Sequence, residues 1–184
     1  MQAAVCYELG KPLVIEEIDI DPPQQGEVKV RLAAVAICHS DVHAIKGDWS
    51  AEPPFVPGHE AAGIVEEVGE NVTAAKVGDP VVVSILRSCG VCRYCTTGYP
   101  PLCEGECALD SESRLRNKRG DALKHGLRTA AFAEYVVVHQ SQVVPVAADI
   151  PLDRAALLAC GVITGLGAVV NTAQVGPSRS VVVI

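Results

Sequence analysis

The sequence predicts a mainly β domain with a few short helices, its strands antiparallel and arranged as a partly open barrel. Two observations carry this. The apolar segments are short and are punctuated throughout by glycine and proline, 16 and 12 of them in 184 residues. Where a period is clear, it is the alternation of a half-buried strand. A third observation limits the prediction to residues 1–150. From 151 to 184 the pattern changes to a helical stretch followed by one wholly apolar strand, the kind that a covered parallel sheet buries on both faces.

Taken in order, Met1 to Tyr7 and Leu13 to Ile20 read as strands, broken by Gly10, Lys11 and Pro12. Asp21-Pro22-Pro23-Gln24-Gln25-Gly26 is a loop by composition. Glu27 to Leu32 sets Val28, Val30 and Leu32 against Lys29 and Arg31. A short helix is expected from Cys38 to Ala44, stopped at Gly47. After a proline-rich run from Glu52 to Gly58, Ala62 to Val68 and Pro80 to Ile85 return to strand composition. Phe132 to Val138 and Val143 to Val146 are two further strands. Pro151 stands at a helix start with Asp153 in its first turn, and Ala155 to Val170 reads as a buried helix with its turns. Val181-Val182-Val183-Ile184 is the final strand.

Composition narrows the function classes. With 15 Lys+Arg against 22 Asp+Glu the formal charge is −7, and the basic residues are scattered, which argues against nucleic acid or an anionic membrane as partner. The one basic cluster, Arg114, Arg116, Lys118 and Arg119, reads as solvated surface in a polar loop, with an anionic substrate handle or partner contact as the alternative. The N-terminus has no signal-peptide pattern, so the expected location is cytoplasmic. There, eight cysteines are too many to be incidental, because such chains spend cysteine on metal or catalysis.

Cys89, Cys92, Cys95 and Cys103 stand at i, i+3, i+6 and i+14. Two-residue spacers let one tight turn present several sulfurs to a single ion, and four thiolates close a tetrahedral zinc site. Free thiols, a disulfide or an iron–sulfur cluster are the alternatives. The other metal-competent residues are Cys38, His39, His43, His59, Glu60 and Cys160. His39 and His43 lie four apart, on one helix face or simply at the surface. Cys6 and Cys107 read as incidental thiols. Spacing alone does not join Cys38, His59 and Cys160.

Gly58-His59-Glu60 followed by Ala61-Ala62-Gly63-Ile64-Val65 resembles the G-H-E signature of the zinc-containing alcohol dehydrogenases of the medium-chain dehydrogenase/reductase superfamily. Cys38-His39-Ser40-Asp41-Val42-His43, the four-cysteine lobe and Cys160-Gly161-Val162-Ile163-Thr164-Gly165 match the same family in order and approximate spacing. The resemblance implies a GroES-like catalytic domain over 1–150. It makes 151–184 a connecting helix and the first strand of a nucleotide-binding domain, because the chain stops where the family's G-x-G-x-x-G turn begins. On that basis the chain is expected to keep two zinc ions and lack turnover by itself. Val181 to Ile184 are then expected to lack neighbouring strands.

Residue by residue, the resemblance implies a catalytic zinc on Cys38, His59 and Cys160, with Glu60 as an occasional fourth ligand and Asp41 fixing the His59 ring. Ser40 and His43 become the proton path. His39 and Thr164 become contacts to NAD or NADP. Trp49, Ile85 and Phe132 line a cleft for a small apolar alcohol or aldehyde. The parent is expected to be a homo-oligomer. Within the same chemistry, a thiol-adduct formaldehyde dehydrogenase or an aryl-alcohol dehydrogenase is the alternative. Outside it, a non-enzymatic zinc-binding interaction module is the rival.

Overall fold

The strongest β pattern in the sequence, Val28-Lys29-Val30-Arg31-Leu32, forms an interior strand, paired on both sides, of the larger of two sheets. The computed structural model describes residues 1–183. Among the described residues there are ten strands, β1 (Gln2–Val5), β2 (Val14–Ile20), β3 (Glu27–Ala36), β4 (Phe55–Val56), β5 (Glu60–Val68), β6 (Pro80–Val83), β7 (Leu115–Asn117), β8 (Ala122–His125), β9 (Tyr135–His139) and β10 (Val143–Pro145). They form two five-stranded sheets, ordered β1-β2-β7-β8-β4 and β10-β6-β5-β3-β9. All pairings are antiparallel except β4 with β8. Backbone bonds from Ala4 N–H to Phe132 O (2.8 Å) and from Glu134 N–H to Gln2 O (3.1 Å) join β1 to the chain entering β9, so the two sheets curl toward one barrel.

The period of two decides what each strand buries. Val28 and Val30 of β3 face a core completed by Ala61, Val65, Val81, Val83, Val136 and Val138. In β6 the intervening Val82 faces the other way. There it meets Ala62 and three alanines, Ala155, Ala156 and Ala159, of the segment after Pro151. Both faces of β5 and β6 are thus covered, which is why Val81 to Val83 show no alternation in sequence. A second core gathers Ala3, Val5, Ile18, Val56, Leu115 and Leu123 from the smaller sheet.

The helices are short: α1 (His39–Lys46), α2 (Arg93–Thr96), α3 (Leu152–Ala155) and α4 (Gly161–Gly167). The expected helix at Cys38 therefore forms, with Cys38 as its N-cap and Gly47 closing it in the left-handed region at φ 84°. The stretch read as one buried helix is corrected. It breaks at Cys160 (φ −146°, ψ −67°), and the halves Leu152–Ala159 and Gly161–Thr172 are bent by 48°. In the first half Ala155, Ala156 and Ala159 are buried, whereas Leu157 and Leu158 are exposed. Val162, Ile163, Leu166 and Val170 in the second are exposed. Among the described residues no single helix is long and apolar enough to cross a membrane.

Two further expectations change. The polar loop carrying the basic cluster is the β7–β8 hairpin. Arg114 is not solvated but 3% exposed, held by both oxygens of Glu27 at 2.8 and 2.9 Å. Arg116, Lys118 and Arg119 do lie at the surface, paired with Asp21, Asp19 and Asp121. Val181, Val182 and Val183 are exposed and outside any strand. Ile184, the end of that expected strand, lies outside the described residues.

Candidate active site and metal centres

Three distant segments converge on one point. Cys38 follows β3 and caps α1, His59 stands immediately before β5, and Cys160 sits at the break between α3 and α4. One ligand atom from each lies within 4.8 Å of the other two, and the sulfurs of Cys38 and Cys160 are 4.0 Å apart.

Asp41, fully buried in the first turn of α1, ties these segments together. Its Oδ2 accepts the Cys38 N–H at 3.0 Å. Its Oδ1 accepts both the Gly58 N–H and the His59 Nδ1–H, each at 3.0 Å. A carboxylate only accepts, so His59 carries its proton on Nδ1 and leaves Nε2 free as a ligand. Gly58 is required here. It adopts φ 95°, and a Cβ would stand 2.6 Å from the Phe132 nitrogen.

Charge at the site is balanced by neighbours. Burial pushes the Cys38 thiol up, but the Ser40 backbone and hydroxyl, Cys160 and the nearby His59 bring it below the ordinary cysteine value. Burial and the adjacent Cys38 raise Cys160. Burial alone lowers His59, and Asp41 more than offsets it, leaving the ring above its ordinary value. Glu60 stands apart from the three: its Oε1 accepts the Gly161 N–H at 2.9 Å and so holds the first residue of α4.

Ser40 and His43 both belong to α1. Ser40 Oγ lies 3.6 Å from Cys38 Sγ. The His43 ring stacks on Trp49 with centroids 5.2 Å apart, meets the edge of His39 at 4.6 Å, and its Nδ1 lies 2.9 Å from Asp48 Oδ2. Asp48 carried no signal in the sequence that separated it from any other loop acid. Trp49, Ala44, Phe55, Gly126 and Leu127 line a cavity of about 180 Å³. Gly126 and Leu127 were missed because neither residue type announces a cleft. Phe132 is not on this cavity. It packs on the Ala3–Val5 core and lines a groove between β1 and β3. Ile85 is half-buried just past β6. His39 and Thr164 are exposed, with Thr164 Oγ1 4.0 Å from Cys160 Sγ.

The second group, Cys89, Cys92, Cys95 and Cys103, also has all ligand atoms within 4.8 Å of one another. Backbone amides point at its sulfurs: Cys89 N–H to Cys103 Sγ at 3.2 Å, Cys92 N–H to Cys89 Sγ at 3.3 Å and Gly105 N–H to Cys103 Sγ at 3.3 Å. Such donors favour thiolate, and the amides of Cys95 and Glu104 hold the Cys92 thiol down to about 6. Burial raises Cys95 to about 11. Four sulfurs gathered without a disulfide, with amides aimed at them, are a donor set that fits a tetrahedral soft or borderline cation.

Comparison with known proteins agrees with this geometry. Residues 24–148 match the family model described as "Alcohol dehydrogenase GroES-like domain". The chain is 42% identical over 191 residues to "Alcohol dehydrogenase class-3" of Pisum sativum, covering 99% of itself and 50% of that protein. It is 40% identical over 195 residues to "Alcohol dehydrogenase class-P" of Arabidopsis thaliana, with the same coverage of 99% and 50%. Among solved structures, an "Alcohol dehydrogenase zinc-binding domain protein" from Burkholderia ambifaria superposes with a TM-score of 0.87 at 35% identity, over 95% of this chain and 49% of that one. Benzyl alcohol dehydrogenase from Acinetobacter calcoaceticus gives 0.83 at 32%, over 97% and 50%. The chain spans about half the length of the curated relatives it matches. By sequence and fold alike, it belongs to the alcohol dehydrogenase GroES-like domain family.

Proposed function

We propose that this chain is the zinc-binding catalytic portion of an alcohol dehydrogenase that interconverts an alcohol and an aldehyde or ketone with NAD or NADP. The observation that carries the reading is the convergence of Cys38, His59 and Cys160 around a histidine oriented by Asp41. Two sulfurs and one imidazole leave a tetrahedral position open, whereas the four cysteines of the other lobe leave none. Zinc therefore fits both donor sets, in a catalytic role at the first and a structural role at the second. Cys38, His59 and Cys160 would hold the catalytic zinc, which would supply Lewis acidity toward a substrate oxygen, and NAD or NADP would supply the hydride acceptor.

The chain's own residues handle the proton. Ser40, beside Cys38, is the hydroxyl that receives a hydrogen bond from the substrate oxygen. His43, one turn later on α1 and half-exposed, passes the proton to solvent, a role that suits an imidazole because one ring nitrogen accepts a proton while the other holds one. Exposed His39 and Thr164 are the dinucleotide contacts on this reading, and Glu60 holds the α4 turn that carries Cys160. The cavity beside Trp49 and Leu127 suits a small apolar alcohol or aldehyde, and an aryl-alcohol substrate is the variant that the benzyl alcohol dehydrogenase likeness favours.

Metal analysis tests the proposal. Two zinc ions per chain are expected, one exchanging readily with cobalt. C160S should lose that ion and keep the other. One closed ion unaffected by C160S would instead mark a non-enzymatic zinc module.

A further inference from the structure

We infer that Asp48 is a positioning residue for His43, fixing the imidazole as its Nδ1–H tautomer and leaving Nε2 as the proton-accepting end. The inference rests on the relay role proposed for His43, and it adds a residue to which neither the motifs nor the comparisons assign a task.

The geometry begins with the end of α1. Gly47 enters the left-handed region, and its N–H returns to the carbonyls of His43 and Ala44 at 3.1 and 3.3 Å. The Asp48 N–H then returns to the same His43 carbonyl at 3.0 Å. This is the hydrogen-bonded turn that ends a helix on a glycine, and it holds the Asp48 backbone beside His43 whatever the side chain does. The carboxylate completes the loop, with Oδ2 at 2.9 Å from His43 Nδ1. Main chain and side chain of Asp48 thus both engage one residue.

The ring has little freedom left. Trp49 stacks on one face, and His39 contacts it edge-on. An ionised carboxylate has no hydrogen to give, so Nδ1 must carry one. In the neutral imidazole the lone pair is then on Nε2. The same logic orients His59 through Asp41 in the buried site. The helix α1 therefore contributes one member to each of two carboxylate–imidazole pairs, Asp41 to the buried one with His59 and His43 to the exposed one with Asp48.

The measurement is the tautomeric state of His43 by long-range ¹H–¹⁵N correlation of the imidazole rings, in the zinc-loaded chain at neutral pH, assigned by loss of its signals in H43Q. The wild type should show the Nδ1–H form predominating. D48A should revert to the mainly Nε2–H form of a solvated imidazole. D48N, which keeps an acceptor oxygen, should retain the wild-type pattern. Asp48 is 56% exposed on its side chain, so these variants leave the core untouched. A wild-type ring that is mainly Nε2–H overturns the inference without any variant. A D48A spectrum identical to wild type overturns it equally. Zinc stoichiometry, measured on the same samples, reports on the proposed function separately, so the failure of one is distinguishable from the failure of the other.

Discussion

Asp41 has no exposed surface, yet its two oxygens accept three N–H donors from the start of its own helix, from Gly58 and from His59. Removing it frees the His59 ring to rotate and leaves two backbone donors without partners. D41A should weaken zinc at the Cys38 group by about 10- to 100-fold, as loss of such a supporting carboxylate commonly does, while the four-cysteine lobe keeps its ion. Competition with a chromophoric chelator would measure both. Equal losses at the two sites would mean that Asp41 acts on the whole fold and not on one ligand. At this scale the sequence was informative to an uneven degree. The lobe from Cys89 to Cys103 is legible because its ligands are neighbours and spacing alone brings them together. Cys38, His59 and Cys160 are each visible as ligand types, but their meeting depends on the tertiary path between them. Only the family resemblance joined them beforehand.

Most strands were legible as elements: alternation marks β3, and short runs rich in Val, Ile and Ala mark β2, β5, β6 and β9. The β7–β8 hairpin was not. Each of its strands contributes a single buried apolar residue, Leu115 and Leu123, among polar and charged neighbours, so the local pattern reads as a solvated loop. What specifies it is long-range: β7 pairs with β2, and Arg114 reaches Glu27 on β3 of the other sheet. That pair is dry on both sides, with side chains 4% and 2% exposed. Losing one partner leaves the other charge buried and uncompensated, which costs about 3–5 kcal/mol. R114M should therefore lower the urea midpoint sharply, whereas R114M/E27Q should regain much of the loss. A double variant no better than the single one would show that the pair acts through packing alone. The helix after Pro151 was over-read for the opposite reason: its apolar residues run on past Cys160, but only Ala155, Ala156 and Ala159 have a sheet to meet.

For the molecule as a whole, one half-buried histidine sets a pH response. His125, at the end of β8, accepts the Arg114 backbone N–H on Nε2 at 3.2 Å, and its buried Nδ1 has no partner among the described residues. Burial, then the charge of Arg114, hold it near 4, against a tendency of Glu27 to raise it. The folded value thus lies below the unfolded one of about 6.5. Above 6.5 both states are neutral there and the contribution is complete. As pH falls from 6.5 toward 4, the unfolded chain gains a proton that the folded chain refuses, and stability is lost. The shift corresponds to roughly 3 kcal/mol. Denaturant midpoints of H125Q should consequently vary less between pH 6.5 and 4.5 than those of the wild type. Parallel curves would assign the acid sensitivity elsewhere.

The two metal groups also differ in how much chain they enclose. Cys89 and Cys103 are 14 residues apart, but Cys38 and Cys160 are 122 apart. Closing the longer loop in an unfolded chain costs roughly 2 kcal/mol more in entropy than closing the shorter, and it must gather an imidazole from a third segment as well. The short lobe can therefore capture an ion while the rest of the chain is still open. The dispersed group acquires its affinity only as the sheets assemble around it, so its occupancy is a readout of the folded state.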